Sequence, residues 1–176
     1  MTVSILSRSS IEIERELRAG ELEAGLTYLE NEPLQNVRAT RLYSERYVLL
    51  TPLESPFKER TSATWQDAAG LRLCLLARDT QNRRIIERLF AEGGTAHPRV
   101  ALETNSVLAL VAHVRFGGWS SVVSHTFLTL LGHRGATLRG IWAIPLTMPA
   151  STQAVGLVVA DREPQTALAR ACPSKR

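Results

Sequence analysis

The fold is decided by two stretches, Leu17-Arg-Ala-Gly-Glu-Leu-Glu-Ala-Gly-Leu26 and Leu42-Tyr-Ser-Glu-Arg-Tyr-Val-Leu-Leu-Thr-Pro52. The first stretch contains the end of a helix, which Gly20 closes because glycine readily adopts the left-handed conformation. A short strand then begins at the acidic pair Glu21 and Glu23. The second stretch is a longer apolar strand that Pro52 stops. A helix followed by strands in this order predicts an α/β domain.

The rest of the chain continues the same alternation. Strands are predicted at Thr2–Leu6, Leu22–Leu29, Ala39–Leu50, Leu71–Ala77, Val100–Leu102, Val122–Val123, Ile141–Leu146 and Ala154–Ala160. Helices are predicted after Ser9, at Ser62–Ala69, from Asp79 or Thr80 to Gly93, at Ser106–Phe116 with Leu108, Val111 and Val114 inward, and from Pro164. Alternating strands and helices favour a mostly parallel sheet.

Composition limits the function classes. The 176 residues carry a net charge of +4, with 44% hydrophobic and 22% charged residues. The basic residues are scattered, with no cluster longer than Arg83-Arg84, so the charge indicates a mildly basic surface more than a DNA-binding face. No apolar run approaches the roughly 20 residues needed to cross a bilayer, and the N-terminus lacks the core of a signal peptide. We therefore expect a cytoplasmic protein without a membrane segment.

The sequence contains none of the common catalytic or metal-binding patterns. The two cysteines, Cys74 and Cys172, lack metal-site spacing, and Cys74 lies in an apolar run that predicts a buried thiol. The four histidines (His97, His113, His125 and His133) show no i, i+4 pair. No Walker loop, dinucleotide fingerprint or complete nucleophile elbow is present. We expect no enzyme, cofactor or metal, although a hydrolase using Ser121 and a histidine stays open as an alternative.

The motifs resemble those of the effector-binding domain of LysR-type transcriptional regulators. Leu17–Leu26 is similar to the family's L-x-x-G-x-L-D-L-A-I, and Leu42–Pro52 is similar to its L-x-x-E-x-L-V-L-V-x-P. The segment from Arg83 to Gly94 resembles R-x-x-L-x-x-x-F-x-x-x-G, and the one from Glu103 to Ala112 resembles E-x-x-x-x-x-L-x-L-V-A. The stretch Gly117–Ser124 departs from the family's glycine-rich, apolar continuation.

The resemblance implies a two-lobed α/β fold akin to the type II periplasmic-binding proteins, with a first lobe incomplete at its N-terminus. Lobe I would comprise residues 1–76 and 150–176, lobe II residues 77–149, and the hinges would lie near 76–78 and 149–155. The family's DNA-binding domain and the first strand and helix of its effector domain are absent from this sequence. DNA contact would come only through that absent N-terminal domain, and relatives lead us to expect a homodimer.

The same resemblance implies that a small-molecule effector, a carboxylate or another anion, binds between the lobes. Helix N-termini and arginine side chains at strand ends suit an anion. The candidate effector-binding residues are Tyr28, Thr80, Gln81, Arg83, Thr104, Asn105, Trp119 and Ser120. The structural alternatives are a capped, solvated helix start with ordinary surface arginines around Arg83, N-capping by Thr104 or Asn105, a half-buried sheet position for Tyr28 and core packing for Trp119. Two other functions stay open: a solute-binding protein of the same fold, and a truncated domain without ligand affinity.

Overall fold

The computed structural model describes residues 2–30, 34–95, 97–130 and 140–161. In chain order its elements are α1 (Ser10–Ala19), β1 (Gly25–Tyr28), β2 (Val37–Glu45), β3 (Tyr47–Pro52), β4 (Ala63–Thr64), α2 (Trp65–Ala69), β5 (Leu73–Leu76), α3 (Gln81–Glu92), β6 (Val100–Thr104), α4 (Val107–Gly117), β7 (Ser121–Ser124), α5 (His125–Leu130), β8 (Ile141–Thr147) and β9 (Gln153–Ala160). The helix predicted from Pro164 lies outside the described residues.

The chain forms two compact units, residues 1–44 with 153–176 and residues 45–152. The predicted hinge near 149–155 includes the boundary between these units at 152/153, and the predicted hinge near 76–78 lies inside the second unit. The division into ligand-binding lobes stays a prediction.

The first unit is a three-stranded sheet in the order β1–β9–β2, covered by α1. Helix α1 begins with a capping box, in which Ser9 and Glu12 satisfy each other's backbone amides, and it ends at Gly20 with a φ of 77°. Ile13 and Leu17 of α1 pack on Val158 of β9. A Cβ on Gly25 would lie 2.3 Å from Ile13 Cγ2, so this close approach of helix and sheet requires glycine.

The second unit is built on β3, which pairs antiparallel with both β7 and β8. Strand β4 adds to β8 in parallel. Strands β5 and β6 pair in parallel, and an isolated parallel bridge joins Leu73 of β5 to Ser120. One apolar cluster between this framework and α4 consists of Val48, Leu50, Cys74, Leu110, Val114, Val123, Leu128, Ile141 and Ala143.

Several sequence predictions differ from the described structure. Thr2–Leu6 forms no strand, because none of the described strands pairs with it, and Ile5 is 92% exposed. The run predicted as one strand at Ala39–Leu50 divides at Arg46 into β2 and β3, which belong to different sheets. The expected mostly parallel sheet is also wrong for the described residues, where β3 is flanked by antiparallel neighbours.

Helix α4 begins as predicted, and Val114 and Val111 pack on the core as predicted, whereas Leu108 does not. Ser106 caps it by accepting a hydrogen bond from the Ala109 amide. Leu110 and Val114 are buried, whereas Leu108, predicted to point inward, is 67% exposed. The helix is apolar on most sides, so the spacing of its apolar residues did not define the buried face.

Candidate functional site

The carboxyl ends of β5 and β6 lie side by side in the second unit. Leu76 pairs with Thr104, and the Ala77 amide donates to the Thr104 carbonyl at 2.9 Å. Each strand then leads into a helix, α3 after β5 and α4 after β6. The N-termini of two helices therefore follow adjacent strand ends, and their amides and dipoles favour negative charge.

Thr80 and Thr104 hold the two turns in place. The Thr80 hydroxyl donates to the Ala77 carbonyl at 2.8 Å and accepts from the Arg83 amide at 3.2 Å. The Thr104 hydroxyl accepts from the Ser106 amide at 3.2 Å. Because both hydroxyls are engaged in local hydrogen bonds, these threonines shape the turns that the sequence predicted as part of the site.

Asn105 and Gln81 lie in the same two turns. Asn105 is exposed between β6 and α4, whereas Gln81 is 4% exposed at the start of α3. Of the predicted site residues in these two turns, Asn105 is therefore the one whose side-chain amide is exposed to a ligand in solution.

Arg83 occupies a different environment from the one predicted. Its side chain is fully buried; Nε donates to Glu87 at 3.0 Å, and Nη1 donates to the Leu76 carbonyl at 2.7 Å and to Glu103 at 3.2 Å. This arginine ties α3 to the ends of both parallel strands. Sequence reasoning identified the residue but not its burial, because Glu103 is distant in sequence.

Three further predicted residues, Ser120, Trp119 and Tyr28, are not in these two turns. Ser120 bridges to Leu73 at the opposite end of β5, and Trp119 beside it lies under the guanidinium of Arg72, 4.3 Å from the ring centroid. Tyr28, half-buried, pairs with Val155 in the first unit. The structure thus brings together the residues after β5 and β6 but does not group Trp119 or Ser120 with them, and Tyr28 belongs to the first unit.

Cys74 lies in the apolar core of the second unit and is fully buried. Burial raises the pKa of its thiol to about 11, because the interior disfavours the thiolate.

Among the described residues, no three His, Cys, Asp or Glu side chains lie close enough together to hold a metal ion. None of the helices in those residues combines the length and apolar character needed to span a membrane.

We expect the Cys74 thiol to be unreactive in the folded protein, because it is shielded from solvent and protonated at neutral pH. In a Cys172→Ser variant, Ellman's reagent should leave the native chain unmodified and should label about one thiol per chain once guanidinium unfolds it. Rapid labelling of the native variant would contradict this burial.

The mixed α/β fold is that of periplasmic-binding-protein-like regulatory domains. The chain belongs to the LysR substrate binding domain family, whose profile matches residues 1–172. No curated protein matches the chain.

Three solved structures illustrate the shared fold. The reduced OxyR regulatory domain from Pseudomonas aeruginosa is 20% identical with a TM-score of 0.74, covering 89% of this chain and 73% of that one. Full-length CbnR in complex with its target DNA is 19% identical with a TM-score of 0.77, covering 96% and 57%. A Corynebacterium glutamicum OxyR mutant bound to H2O2 is 18% identical with a TM-score of 0.73, covering 88% and 48%. The chain thus spans about half the length of the last two proteins.

Proposed function

We propose that this chain is the ligand-sensing part of a cytoplasmic LysR-type transcriptional regulator and catalyses no reaction. The match of residues 1–172 to the LysR substrate binding domain family carries the proposal. Effector binding would alter how an attached DNA-binding domain engages its operator, through a difference in effector affinity between two states. The fold alone does not identify the effector, so its chemistry is inferred from the site.

The effector is proposed to be a small anion bound at the carboxyl ends of β5 and β6. Two helix N-termini follow these strand ends, and the exposed Asn105 amide supplies a hydrogen-bond donor beside them. Thr80 and Thr104 keep the turns in position through their local hydrogen bonds. Binding of this effector between two lobes, as the family resemblance implies, is a further part of the proposal.

Thermal unfolding against small carboxylates, aromatic acids and inorganic oxyanions tests this proposal. A ligand at about a hundred times its dissociation constant should add ~2.7 kcal/mol to the free energy of unfolding. Asn105→Ala should weaken the affinity about tenfold, because a hydrogen bond to a charged ligand is lost. Gln66→Ala, which removes an exposed side-chain amide from α2, is the matched control and should leave the affinity unchanged. Absence of a shift with every compound would overturn the anion proposal.

A homodimer is the second part of the proposal, and α4 offers a surface for it. Leu108 is 67% exposed and Phe116 is 79% exposed, with the exposed Ala112 between them at four-residue spacing. These three residues form one apolar stripe along the helix, opposite the buried Leu110 and Val114. An exposed apolar stripe of this kind is typical of a protein–protein contact.

Leu108→Glu is expected to convert the proposed dimer into monomers. A two-fold interface would carry the added charge twice, so we expect the dimer dissociation constant to rise at least about 100-fold. Sedimentation velocity measures the change directly. Met148→Glu, at a residue that is 71% exposed and outside α4, serves as control and should dimerise like the parent chain. A Leu108→Glu variant with unchanged dimerisation would exclude α4 from the interface.

A further inference from the structure

Helix α5 begins where β7 ends, and its first residue, His125, lies opposite Arg46. The antiparallel register pairs Tyr47 with Ser124, so the next pair along the two strands is Arg46 with His125. Arg46 is also the residue at which the chain passes from β2 to β3. The pair therefore closes the β3–β7 ladder at the point where one segment changes sheet and the other changes from strand to helix.

The two hydrogen bonds of this pair differ in kind. The His125 amide donates to the Arg46 carbonyl at 2.9 Å, as in an ordinary antiparallel ladder. The Arg46 amide, however, donates to Nδ1 of the His125 ring at 3.1 Å. The His125 carbonyl belongs to α5 and accepts from the Thr129 hydroxyl at 3.4 Å. The imidazole thus supplies the acceptor that a backbone carbonyl supplies within a strand.

This hydrogen bond requires a neutral ring. An imidazole nitrogen that accepts a hydrogen bond carries no proton, so the ring hydrogen of His125 is on Nε2. A protonated ring is a donor at both nitrogens, and it would present an N–H group to the N–H group of Arg46. The ring is partly exposed, so protons reach it from solvent.

The other ionisable groups beside this pair come from the segment that passes from β2 to β3. They are Glu45, which is 8% exposed, the exposed Arg46 and the buried Tyr47. Strand β7 and the rest of α5 as far as Leu130 contain no ionisable side chain. The segment thus has one carboxylate and one guanidinium, so the geometry of the hydrogen bond, and not a net charge, distinguishes a neutral from a protonated ring.

From this geometry we propose that His125 is a pH-sensitive switch, whose neutral ring closes the β3–β7 ladder and whose protonated ring opens it. Opening removes the acceptor of the Arg46 amide and loosens the first turn of α5. Arg46 is the second residue of the second unit, so the change occurs beside one of the two chain connections between the units. The switch uses neither Asn105 nor α4, and it is therefore independent of the effector and dimer proposals.

NMR spectroscopy and amide hydrogen exchange of the full chain between about pH 8 and pH 5 test the switch, because histidine changes charge in this range. We expect the Nε2–H tautomer of His125 at the upper end. The protection factor of the Arg46 amide, corrected for the intrinsic exchange rate at each pH, should fall about tenfold as the ring is protonated. The Leu110 amide, which donates to the Ser106 carbonyl at 3.1 Å in α4, is the internal control and should keep its protection.

Four results would each overturn the switch. They are an unprotected Arg46 amide at the upper end of the range, an Arg46 protection factor that stays constant while the ring is protonated, a ring that stays neutral throughout, and an equal loss of protection at Leu110. The last result would indicate general unfolding in acid in place of a local opening.

His125→Asn separates the acceptor from its titration. The asparagine side-chain oxygen can take the position of Nδ1 and accept from the Arg46 amide, but it does not titrate. We expect the Arg46 protection factor in this variant to be independent of pH, whereas His125→Ala should show low protection at both ends of the range. A pH dependence in His125→Asn equal to that of the parent chain would contradict the role of the ring.

Discussion

Trp65→Ala is expected to lower the free energy of unfolding by about 3–5 kcal/mol, the largest effect of any single substitution considered for this chain. The indole is 1% exposed and contacts two other aromatic rings edge-to-face, Tyr47 at 6.0 Å and Phe90 at 5.1 Å between centroids. Its Nε1 donates to the Pro149 carbonyl at 3.2 Å. Removing it leaves a cavity and an unpaired carbonyl, which together account for the magnitude.

Urea unfolding followed by far-UV circular dichroism measures this change. Trp65→Phe is the matched control, since it keeps an aromatic ring between Tyr47 and Phe90 but loses the hydrogen bond to Pro149. The control should lose less than half as much stability as the alanine variant. Similar losses in both variants would mean that the hydrogen bond, not the packing, dominates at this position.

Arg83→Ala is expected to destabilise the chain by about 2–4 kcal/mol, because it removes the buried cation that pairs with Glu87 and Glu103. Glu87 and Glu103 are 39% and 41% exposed, so water solvates them partly and the loss falls below that for a fully buried pair. The Leu76 carbonyl also loses its donor. The substitution therefore tests the structural role assigned to Arg83.

Arg84→Ala provides a control one residue away on the same helix. Arg84 is partly exposed, and its Nη1 donates to the Asp79 carbonyl at 2.9 Å on the surface. Chemical unfolding should show a loss of less than about 1 kcal/mol for this variant. Equal losses in the two arginine variants would contradict the structural role of Arg83. A loss of ligand response in Arg83→Ala alone would not identify a ligand contact, because the fold itself is weakened.

Local signals in the sequence were sufficient to predict α3 and the buried strand β5 that precedes it. Thr80 caps α3 and accepts the amide of Arg83, and the helix ends at Gly93, as the residue types predicted. The apolar run around Cys74 forms a buried strand. These features depend on residues close together in the chain, where capping and side-chain periodicity are readable.

Features that depend on distant residues could not be predicted in this way. The division of residues 37–52 at Arg46 follows from which strands pair on each side, and sequence periodicity does not specify strand partners. The burial of Arg83 depends on Glu103, which is on another strand. The resemblance predicts Trp119 and Ser120 as site residues. In the structure Ser120 lies beside Leu73 at the start of β5, whereas Thr80 and Asn105 follow the ends of β5 and β6.

Strand β6 is an edge strand, because it pairs with β5 and has no second neighbour among residues 2–30, 34–95, 97–130 and 140–161. Exposed edges are places where chains aggregate through new strand pairing. Glu103 lies near the end of this edge with 41% of its side chain exposed, and a second strand added there would have to remove water from its charge. The carboxylate that anchors Arg83 thereby also protects the open edge of the sheet against association with a second, misfolded chain.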